Sequence, residues 1–392
     1  MILNMKKILI VINNFCTGGI QKSLIELLPL ICDKYDITLY ASRFYGPYTE
    51  QIPSNVKILK PSRFAQMVEY PRWEYRKVGG IVNLLLKLVL GFLTSQIGRR
   101  IPARIYCFFM GNLPGKYDVA ISYGHSLGNY SFHNLENEIT LYCTRATRKA
   151  TFVHCDYEQY GGNIPYNHFL YTKFDRIAAV SQSVAKKFCD ILQDQKDKVS
   201  VVYNACNYTF IRQQAAINPV EYDRTSIVSV CRLSPVKGLL RCMPILKQLK
   251  NEGYDFEWHI VGGGDDAFAE KMTDVIKSGE LERIVIMEGE QANPYRYMKN
   301  ADFLFLPSLH EAAPMVFNEA ACLGLTVLST NTLSANELVA NRGFGEVCEN
   351  SGNHIYSLLK RALDKKIRRA GQVNMDVWNN TVVEQFSSII SL

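Results

Sequence analysis

The chain has 392 residues, 47% hydrophobic and 21% charged. At about 100–200 residues per domain, that length implies two or three domains, and the composition excludes a disordered chain. Lys and Arg number 44 and Asp and Glu 37, a net charge of +7 that is too small for a dedicated nucleic-acid binder. The 11 cysteines sit at irregular spacing with no C-x-x-C, which argues against a disulfide framework or structural zinc site and for a reducing, cytoplasmic compartment. The 7 histidines form no H-x-x-x-H pair, the spacing of a metalloprotease helix.

The first apolar run, residues 8–12, closes on Asn13 and Asn14. A secretory h-region needs about 7–15 apolar residues and a small-residue cleavage site, so a buried first strand is the reading. Short β-branched runs then alternate with helix-length segments. Strands are expected at 7–13, 36–41, 118–123, 151–154, 176–180 and 199–203, followed by a polar, irregular stretch at 204–225. The rhythm restarts at 226–231, 256–262, 284–287, 303–307 and 326–329. Continuous apolar strands alternating with helices imply parallel sheets covered on both faces. Two such series imply two Rossmann-like α/β domains, residues 1–205 and 225–372, joined by a linker at 206–224 and followed by a helix at 373–392.

Residues 60–116 break this rhythm, with ten basic residues against two acidic ones (Glu69 and Glu74), a local +8. The basic set is Lys60, Arg63, Arg72, Arg76, Lys77, Lys87, Arg99, Arg100, Arg104 and Lys116. Within it, the apolar run 81–93 places Asn83, Lys87 and Gly91 at i, i+4 and i+8, a helix with one thin polar stripe. It is shorter than the roughly 20 residues that cross a bilayer. It suits a helix lying on an anionic membrane surface, with a core helix rimmed by cations as the alternative. No nucleic-acid-binding motif accompanies it.

The first βα turn reads Asn13-Asn14-Phe15-Cys16-Thr17-Gly18-Gly19-Ile20, with a helix expected from Gln21. Gly18 and Gly19 let a ligand approach the backbone at a helix N-terminus, although turn chemistry explains a glycine pair equally well. No G-x-G-x-x-G is present, so a nicotinamide cofactor is not indicated. In the second series, Arg232 leaves a strand end and Lys237 falls where a helix is expected to start. Cations there oppose the macrodipole, a cost that makes sense if a diphosphate binds between them. Two solvated side chains are the alternative.

Gly262-Gly263-Gly264-Asp265 follows a strand and suits either close ligand approach or a tight turn with an Asp cap. Glu311 lies in the loop after the strand ending at Pro307, and Glu319 follows eight residues on in a helix. Such carboxylates can accept from sugar hydroxyls and a ribose diol. A capping Glu and a solvated helix Glu are the alternative.

Arg232…Lys237, the triple glycine, Glu311-x7-Glu319 and Ala335-Asn336-Glu337-Leu338-Val339 resemble, in that order, the donor-binding half of retaining family 4 glycosyltransferases. Gly18-Gly19 and Phe152-Val153-His154-Cys155-Asp156 extend the resemblance over most of the chain apart from 60–116. It implies the GT-B fold: two Rossmann-like domains facing across a cleft, with the last helix crossing back to the first domain. It implies transfer of a hexose or N-acetylhexosamine from a nucleotide diphosphate sugar, UDP or GDP, with retention of configuration. No metal ion and no further cofactor are expected, and the chain has no Asp-x-Asp.

By the same resemblance, Arg232 and Lys237 stabilise the departing diphosphate, Glu311 binds the donor sugar and Glu319 the ribose. His154 reaches the reacting centre. Gly18, Gly19, Gly263, Ala313, Pro314, Met315 and Val316 approach the donor, and Asp156 and Glu337 are secondary candidates. On its own, His154 is as readily a hydrogen-bonded loop residue, and Glu337 a helix cap. The family usually has Gly after its first Glu; here Ala312-Ala313-Pro314 follows, which bears on the shape of the sugar pocket.

The implied partners are the nucleotide sugar, a polyprenyl-linked saccharide acceptor and an anionic membrane surface, with no nucleic acid. The implied place is the inner face of a bacterial plasma membrane, in surface polysaccharide synthesis. A sugar-nucleotide epimerase of the same architecture and an inactive nucleotide-sugar binder are the rivals.

Overall fold

The computed structural model describes residues 5–69, 81–126, 128–130, 132–371 and 373–391. Every expected strand forms, and every strand pair among the described residues is parallel. The first sheet contains β1 (Lys7–Ile12), β2 (Asp36–Ala41), β3 (Lys57–Leu59), β4 (Tyr117–Ser122), β5 (Ala146–Val153), β6 (Arg176–Ala179) and β7 (Val199–Val201). Its order is β3-β2-β1-β4-β5-β6-β7. The second contains β8 (Thr225–Val230), β9 (Phe256–Val261), β10 (Val285–Gly289), β11 (Phe303–Leu306), β12 (Thr326–Thr330) and β13 (Gly345–Cys348), in the order β10-β9-β8-β11-β12-β13.

The chain divides into two compact units, residues 1–205 with 379–392 and residues 206–378. Each core follows from the apolar runs. Ile8–Ile12 of β1 is wholly buried between β2 and β4, as a central parallel strand requires. In the second unit, Trp258 is buried among Leu239, Met272, Phe305 and Leu359. Its Nε1 donates to Ser229 Oγ at 2.8 Å, so the buried indole is satisfied.

Four elements differ from expectation. β3 and β13 carry no continuous apolar run because they are short, partly exposed sheet edges. β5 starts at Ala146 rather than 151; its first turn of ladder is the polar Thr147-Arg148-Lys149, held by register with β4 and not by hydrophobicity. The stretch expected to be irregular, 204–225, contains the helix Tyr208–Ala215, capped by Asn207 and anchored by buried Ile211 and Ala215. It belongs to the second unit.

The apolar run beginning at residue 81 is a helix, Ile81–Ile97, followed by a second helix, Arg100–Met110. Leu90, Ala103, Tyr106 and Cys107 pack into the first unit's core with Leu9, Val11 and Ile139. Leu85, Leu88, Val89, Phe92, Ile97, Ile101, Phe108 and Phe109 are exposed. Arg99, counted with the basic surface in the sequence, is instead completely buried. Its Nη2 lies 2.9 Å from Glu138 Oε1, and Nη2 also donates to the Asn134 carbonyl at 3.0 Å. It adds nothing to the surface charge. Arg72, Glu74, Arg76 and Lys77, and the side chains of Glu69 and Asn83, lie outside the described residues. Among the described residues, no helix is long and apolar enough to cross a membrane.

The tail forms the helix Met375–Ser391, which from Asn379 onward belongs to the first unit. Val382, Phe386, Ile389 and Ile390, one helical face, are at most 2% exposed. Tyr35 Oη donates to Ser387 Oγ at 3.0 Å, and Lys6 Nζ to the Ile390 carbonyl at 3.0 Å. Phe386→Ala should therefore destabilise the first unit by about 3–5 kcal/mol. Val377→Ala, at a 66% exposed position, should stay within about 0.5 kcal/mol of the parent. Urea unfolding, with hydrogen exchange of the β1 and β2 amides as the unit-specific probe, checks both.

Candidate active site

Parallel sheets bind ligands beyond their carboxyl ends, where the strand order reverses direction. In the second unit that point lies between β8 and β11. The loops leaving these two strands are the ones that carry Arg232, Lys237, Glu311 and the residues up to Val316.

After β8 the chain makes a short 3₁₀ turn, Pro235–Lys237, closed by Gly238 at φ 68°. The α-helix of this segment begins only at Met243. Lys237 therefore does not sit at an α-helix N-terminus, and the expected opposition to a macrodipole does not arise. What holds Lys237 is a contact between loops. A Cβ on Gly238 would lie 2.1 Å from the Pro307 carbonyl oxygen, so only glycine allows the β8 loop to lie on the β11 loop. Leu309 N–H donates to the Val236 carbonyl at 2.8 Å and joins the two.

The joined loops bring Lys237 Nζ to 2.5 Å from Glu311 Oε1. Ser308 Oγ donates to the same oxygen at 2.7 Å. Thr330 Oγ1 donates to the Ser308 carbonyl at 2.6 Å, and Arg241 Nη2 to the Pro307 carbonyl at 2.6 Å. Lys237 and Glu311, given separate partners in the sequence reading, thus form one partly buried ion pair inside a hydrogen-bonded frame. Ser308, Thr330 and Arg241 escaped that reading because an isolated hydroxyl or arginine carries no motif. Arg232 is exposed and makes no ion pair or side-chain hydrogen bond among the described residues.

Glu319 lies in the second turn of the helix Met315–Leu323 and is 3% exposed, so it is not a solvated helix residue. Pro314 supplies no side-chain cap to this helix, and its first turn holds no acidic residue. Its leading N–H groups, beside Ala312 and Ala313, are a natural anion site. The triple glycine forms the tight turn with an Asp cap. Gly262, at φ 150°, lies against Cys231, where a Cβ would come within 2.0 Å of the carbonyl oxygen. Asp265 caps the next helix by accepting from Phe268 N–H at 3.2 Å. Gly263, by contrast, faces the Glu290 side chain and no backbone. Glu337 is partly exposed in the first turn of the helix Ala335–Leu338.

In the first unit the order reverses between β1 and β4. Gly18 precedes the helix Gly19–Ile31 without a side-chain cap, and no acidic residue occupies its first turn. His154 stands one residue beyond β5, its ring 4.9 Å from Tyr123 and stacked 5.4 Å from Phe152. Its Nε2 is shielded from solvent and unpartnered. Asp156 does not orient it. That carboxylate pairs with Lys187 at 2.8 Å and accepts from the Glu158 and Gln159 amides at 3.2 Å each. It is a turn cap with a salt bridge. The sequence reading also passed over His125, which no motif marks; its signal is its place three residues past β4, at the reversal point. Among the described residues, no three His, Cys, Asp or Glu side chains group as metal ligands.

The family described as Glycosyl transferases group 1 matches residues 210–372. The matched segment begins inside the helix Tyr208–Ala215 and contains the whole second sheet. Among curated relatives, the chain is 28% identical over 204 residues to N-acetylgalactosamine-N,N'-diacetylbacillosaminyl-diphospho-undecaprenol 4-alpha-N-acetylgalactosaminyltransferase of Campylobacter jejuni, covering 51% of this chain and 54% of that one. It is 34% identical over 127 residues to the amylovoran biosynthesis glycosyltransferase AmsK of Erwinia amylovora, covering 30% and 31%. It is 30% identical over 169 residues to the putative colanic acid biosynthesis glycosyltransferase WcaL of Escherichia coli, covering 40% and 39%. The matches thus span about half or less of those relatives' lengths.

Two solved structures share the architecture. HepE of Anabaena in complex with UDP superposes with a TM-score of 0.65 at 14% identity, covering 98% of this chain and 100% of that one. TarM of S. aureus superposes with a TM-score of 0.66 at 12% identity, covering 99% and 100%. The chain has the GT-B fold.

Burial of the two histidines has a measurable consequence. Burial, and secondarily His125, pushes the His154 pKa down to about 3, and burial pushes that of His125 down to about 4. Unfolded rings titrate near 6.5. Below that pH the unfolded chain binds more protons than the folded one, so stability falls as pH falls from about 6.5 toward about 4, by about 1.4 kcal/mol per pH unit and per ring. In His154→Gln, the slope of unfolding free energy against pH in this window should become shallower by about that amount. An unchanged slope would show that the ring is not held neutral.

Proposed function

We propose that this protein is a retaining glycosyltransferase. It moves a hexose or N-acetylhexosamine from a nucleotide diphosphate sugar, UDP or GDP, to a lipid-linked saccharide acceptor in surface polysaccharide synthesis. The observation that carries the reading is the Lys237–Glu311 pair, set where the second sheet's order reverses and in the loop that leads to the uncapped N-terminus of the helix Met315–Leu323. A cation and the leading N–H groups of a helix suit a diphosphate, and carboxylates suit sugar hydroxyls. The names of the Campylobacter, Erwinia and Escherichia relatives support the reaction class and the polysaccharide setting, and the first of them supports an acceptor on a diphosphate-linked lipid.

In this mechanism the bond from C1 to the diphosphate oxygen breaks, and the electron pair goes to the diphosphate. The acceptor oxygen bonds to C1 on the same face, and its proton passes to the departing phosphate oxygen. Lys237, Arg232 and the N–H groups after Pro314 stabilise charge that develops only as the bond breaks, which lowers the barrier. Glu311 keeps Lys237 in place through their ion pair and accepts from the sugar. The buried Glu319 accepts from the ribose.

Lys237→Ala or Glu311→Ala should lower kcat for transfer by about 100–1000-fold, with an unchanged circular dichroism spectrum. Parent-like turnover in either variant would falsify the mechanism. UDP or GDP should raise the melting temperature by mass action, and the anomeric configuration of the product, read by NMR, tests retention. A donor converted to a new sugar nucleotide without acceptor would favour an epimerase.

The helices Ile81–Ile97 and Arg100–Met110 are proposed to rest on an anionic membrane. Their exposed face joins Phe92, Phe108 and Phe109 (65%, 81% and 62% exposed) to the surface cations Arg100 and Arg104. Apolar area and charge attraction both contribute to such binding. The protein should sediment with phosphatidylglycerol vesicles far more than with phosphatidylcholine vesicles, and less in high salt. The triple variant Phe92→Ser, Phe108→Ser, Phe109→Ser should bind at least about tenfold more weakly. Equal sedimentation of parent and variant would refute this placement.

A further inference from the structure

The cation-rich run 60–116 is only partly accounted for by its exposed helix face. Lys87, in the helix Ile81–Ile97, is half-buried. By helical period it lies between the packed side, with Leu90 and Thr94, and the exposed apolar side, with Leu88 and Phe92. It therefore stands where the helix leaves the core and meets solvent. Two further residues of the first unit converge on the same place: Arg43, two positions past β2, and His133, in the segment between β4 and the helix Glu136–Tyr142. After burial, the charges of Lys87, Arg43 and Arg99, in that order, hold the His133 pKa below its ordinary value. A charge must be close to act on a ring in this way, so the four residues share one locality.

Arg43 is held in place there. Its backbone N–H donates to the Asn13 carbonyl at 2.9 Å, and its Nε to Asn13 Oδ1 at 3.0 Å. Asn13 Nδ2 in turn donates to Asn134 Oδ1 at 2.5 Å, and the Asn134 carbonyl accepts from the buried Arg99. The Nε bond orients the guanidinium, while Nη1 and Nη2 make no hydrogen bond or ion pair among the described residues. Arg99 differs, because Glu138 neutralises it. No carboxylate is among the charges that act on His133. Like charges gathered this way repel, and an anion between them relieves the repulsion.

We propose that Arg43, Lys87 and His133 form a site for the phosphate or diphosphate of a prenyl-linked acceptor, with the prenyl chain leaving along the exposed face of Leu88 and Phe92. The Nη1 and Nη2 N–H groups of Arg43 match phosphate oxygens as a fork, the Lys87 ammonium adds a point charge, and an imidazole adds one donor. Apolar surface continuous with the cations favours a phosphate that carries a hydrocarbon chain over one that does not. The site lies wholly in the first unit and shares no residue with the Lys237–Glu311 frame, so it is separate from the proposed donor diphosphate site. The inference rests on the reading of a lipid-linked acceptor.

The test is binding of farnesyl diphosphate, a short prenyl diphosphate, to the full chain by calorimetry, with UDP present in excess to occupy the donor site. The His133 ring is titrated by NMR in parallel. Farnesyl diphosphate should bind and should raise the His133 pKa, because a nearby anion favours the charged ring. Arg43→Gln, whose amide can keep the bond to Asn13, and Lys87→Gln should each weaken binding by at least about tenfold. Lys116→Gln, which removes the same charge at an exposed position, should stay within about twofold of the parent. Two further arms separate the sources of the phosphate. Inorganic diphosphate and dihexanoylphosphatidylglycerol, a soluble bilayer lipid, should each bind at least about tenfold more weakly than farnesyl diphosphate.

A His133 pKa that farnesyl diphosphate leaves in place, equal affinity in the parent and both Gln variants, or as large a loss in Lys116→Gln would overturn the site. Equal binding of inorganic diphosphate or of the phosphatidylglycerol would overturn the prenyl assignment. Lys87→Gln and the parent titration decide the matter if Arg43→Gln does not fold. Farnesyl diphosphate held through Arg43 in a protein that transfers no sugar would sink the glycosyltransferase reading and leave the site standing. Transfer to a prenyl-linked saccharide with kcat/KM unchanged in both variants would do the opposite.

Discussion

The candidate site depends on one close approach, the carbonyl of Pro307 lying against Gly238. Two loops leaving adjacent strands can touch this tightly only where one has no Cβ. From that contact follow the backbone bond from Leu309 to Val236 and the meeting of Lys237 with Glu311. Ser308 and Thr330, both buried, then fix the carboxylate's position through their hydrogen bonds. Preorganised charge of this kind needs no rearrangement when charge develops on a ligand, which is why such frames lower barriers.

The first unit rests on a different constraint, a charge removed from water. Arg99 stands between the two apolar helices and is buried against Glu138. Burying such a pair costs more than it returns unless its geometry is good, and its loss is strongly destabilising because one charge is left alone. The pair reaches the sheet edge through a chain of bonds. Arg99 donates to the Asn134 carbonyl, the Asn134 side chain accepts from Asn13, and Asn13 accepts from Arg43. The helices that expose Phe92, Phe108 and Phe109 are thereby joined to the turn that follows β1. Their outer face is apolar while their inner face is part of the core, so the segment is neither a simple core helix nor a detached surface helix.

Much of this was legible along the chain. The strand rhythm, the two series of parallel strands and the terminal helix follow from hydrophobic periodicity, because buried parallel strands must be apolar nearly throughout. The elements that escaped were those whose formation owes little to hydrophobicity: the edge strands β3 and β13, the polar start of β5, and the helix Tyr208–Ala215, held by an Asn cap and two buried side chains. Lys237 was located correctly along the chain but given the wrong local structure, since a 3₁₀ turn ending in Gly238 looks like a helix start in sequence. Asp156, a secondary candidate in the sequence, has its carboxylate paired with Lys187 by the turn geometry.

By itself, the order of residues determined which side chains lie at strand ends, because period and turn chemistry are local properties. It thereby placed Gly18, His154, Arg232, Lys237 and Glu311 at the carboxyl edges of two sheets. Only the tertiary structure decided which of them meet. Sheet order puts β8 beside β11 and β1 beside β4 although they are distant in sequence, and pairing of that kind depends on packing between whole elements. For the same reason burial turned Arg99 from a surface cation into a core residue, and made His125, which no motif marks, a buried ring beside Tyr160.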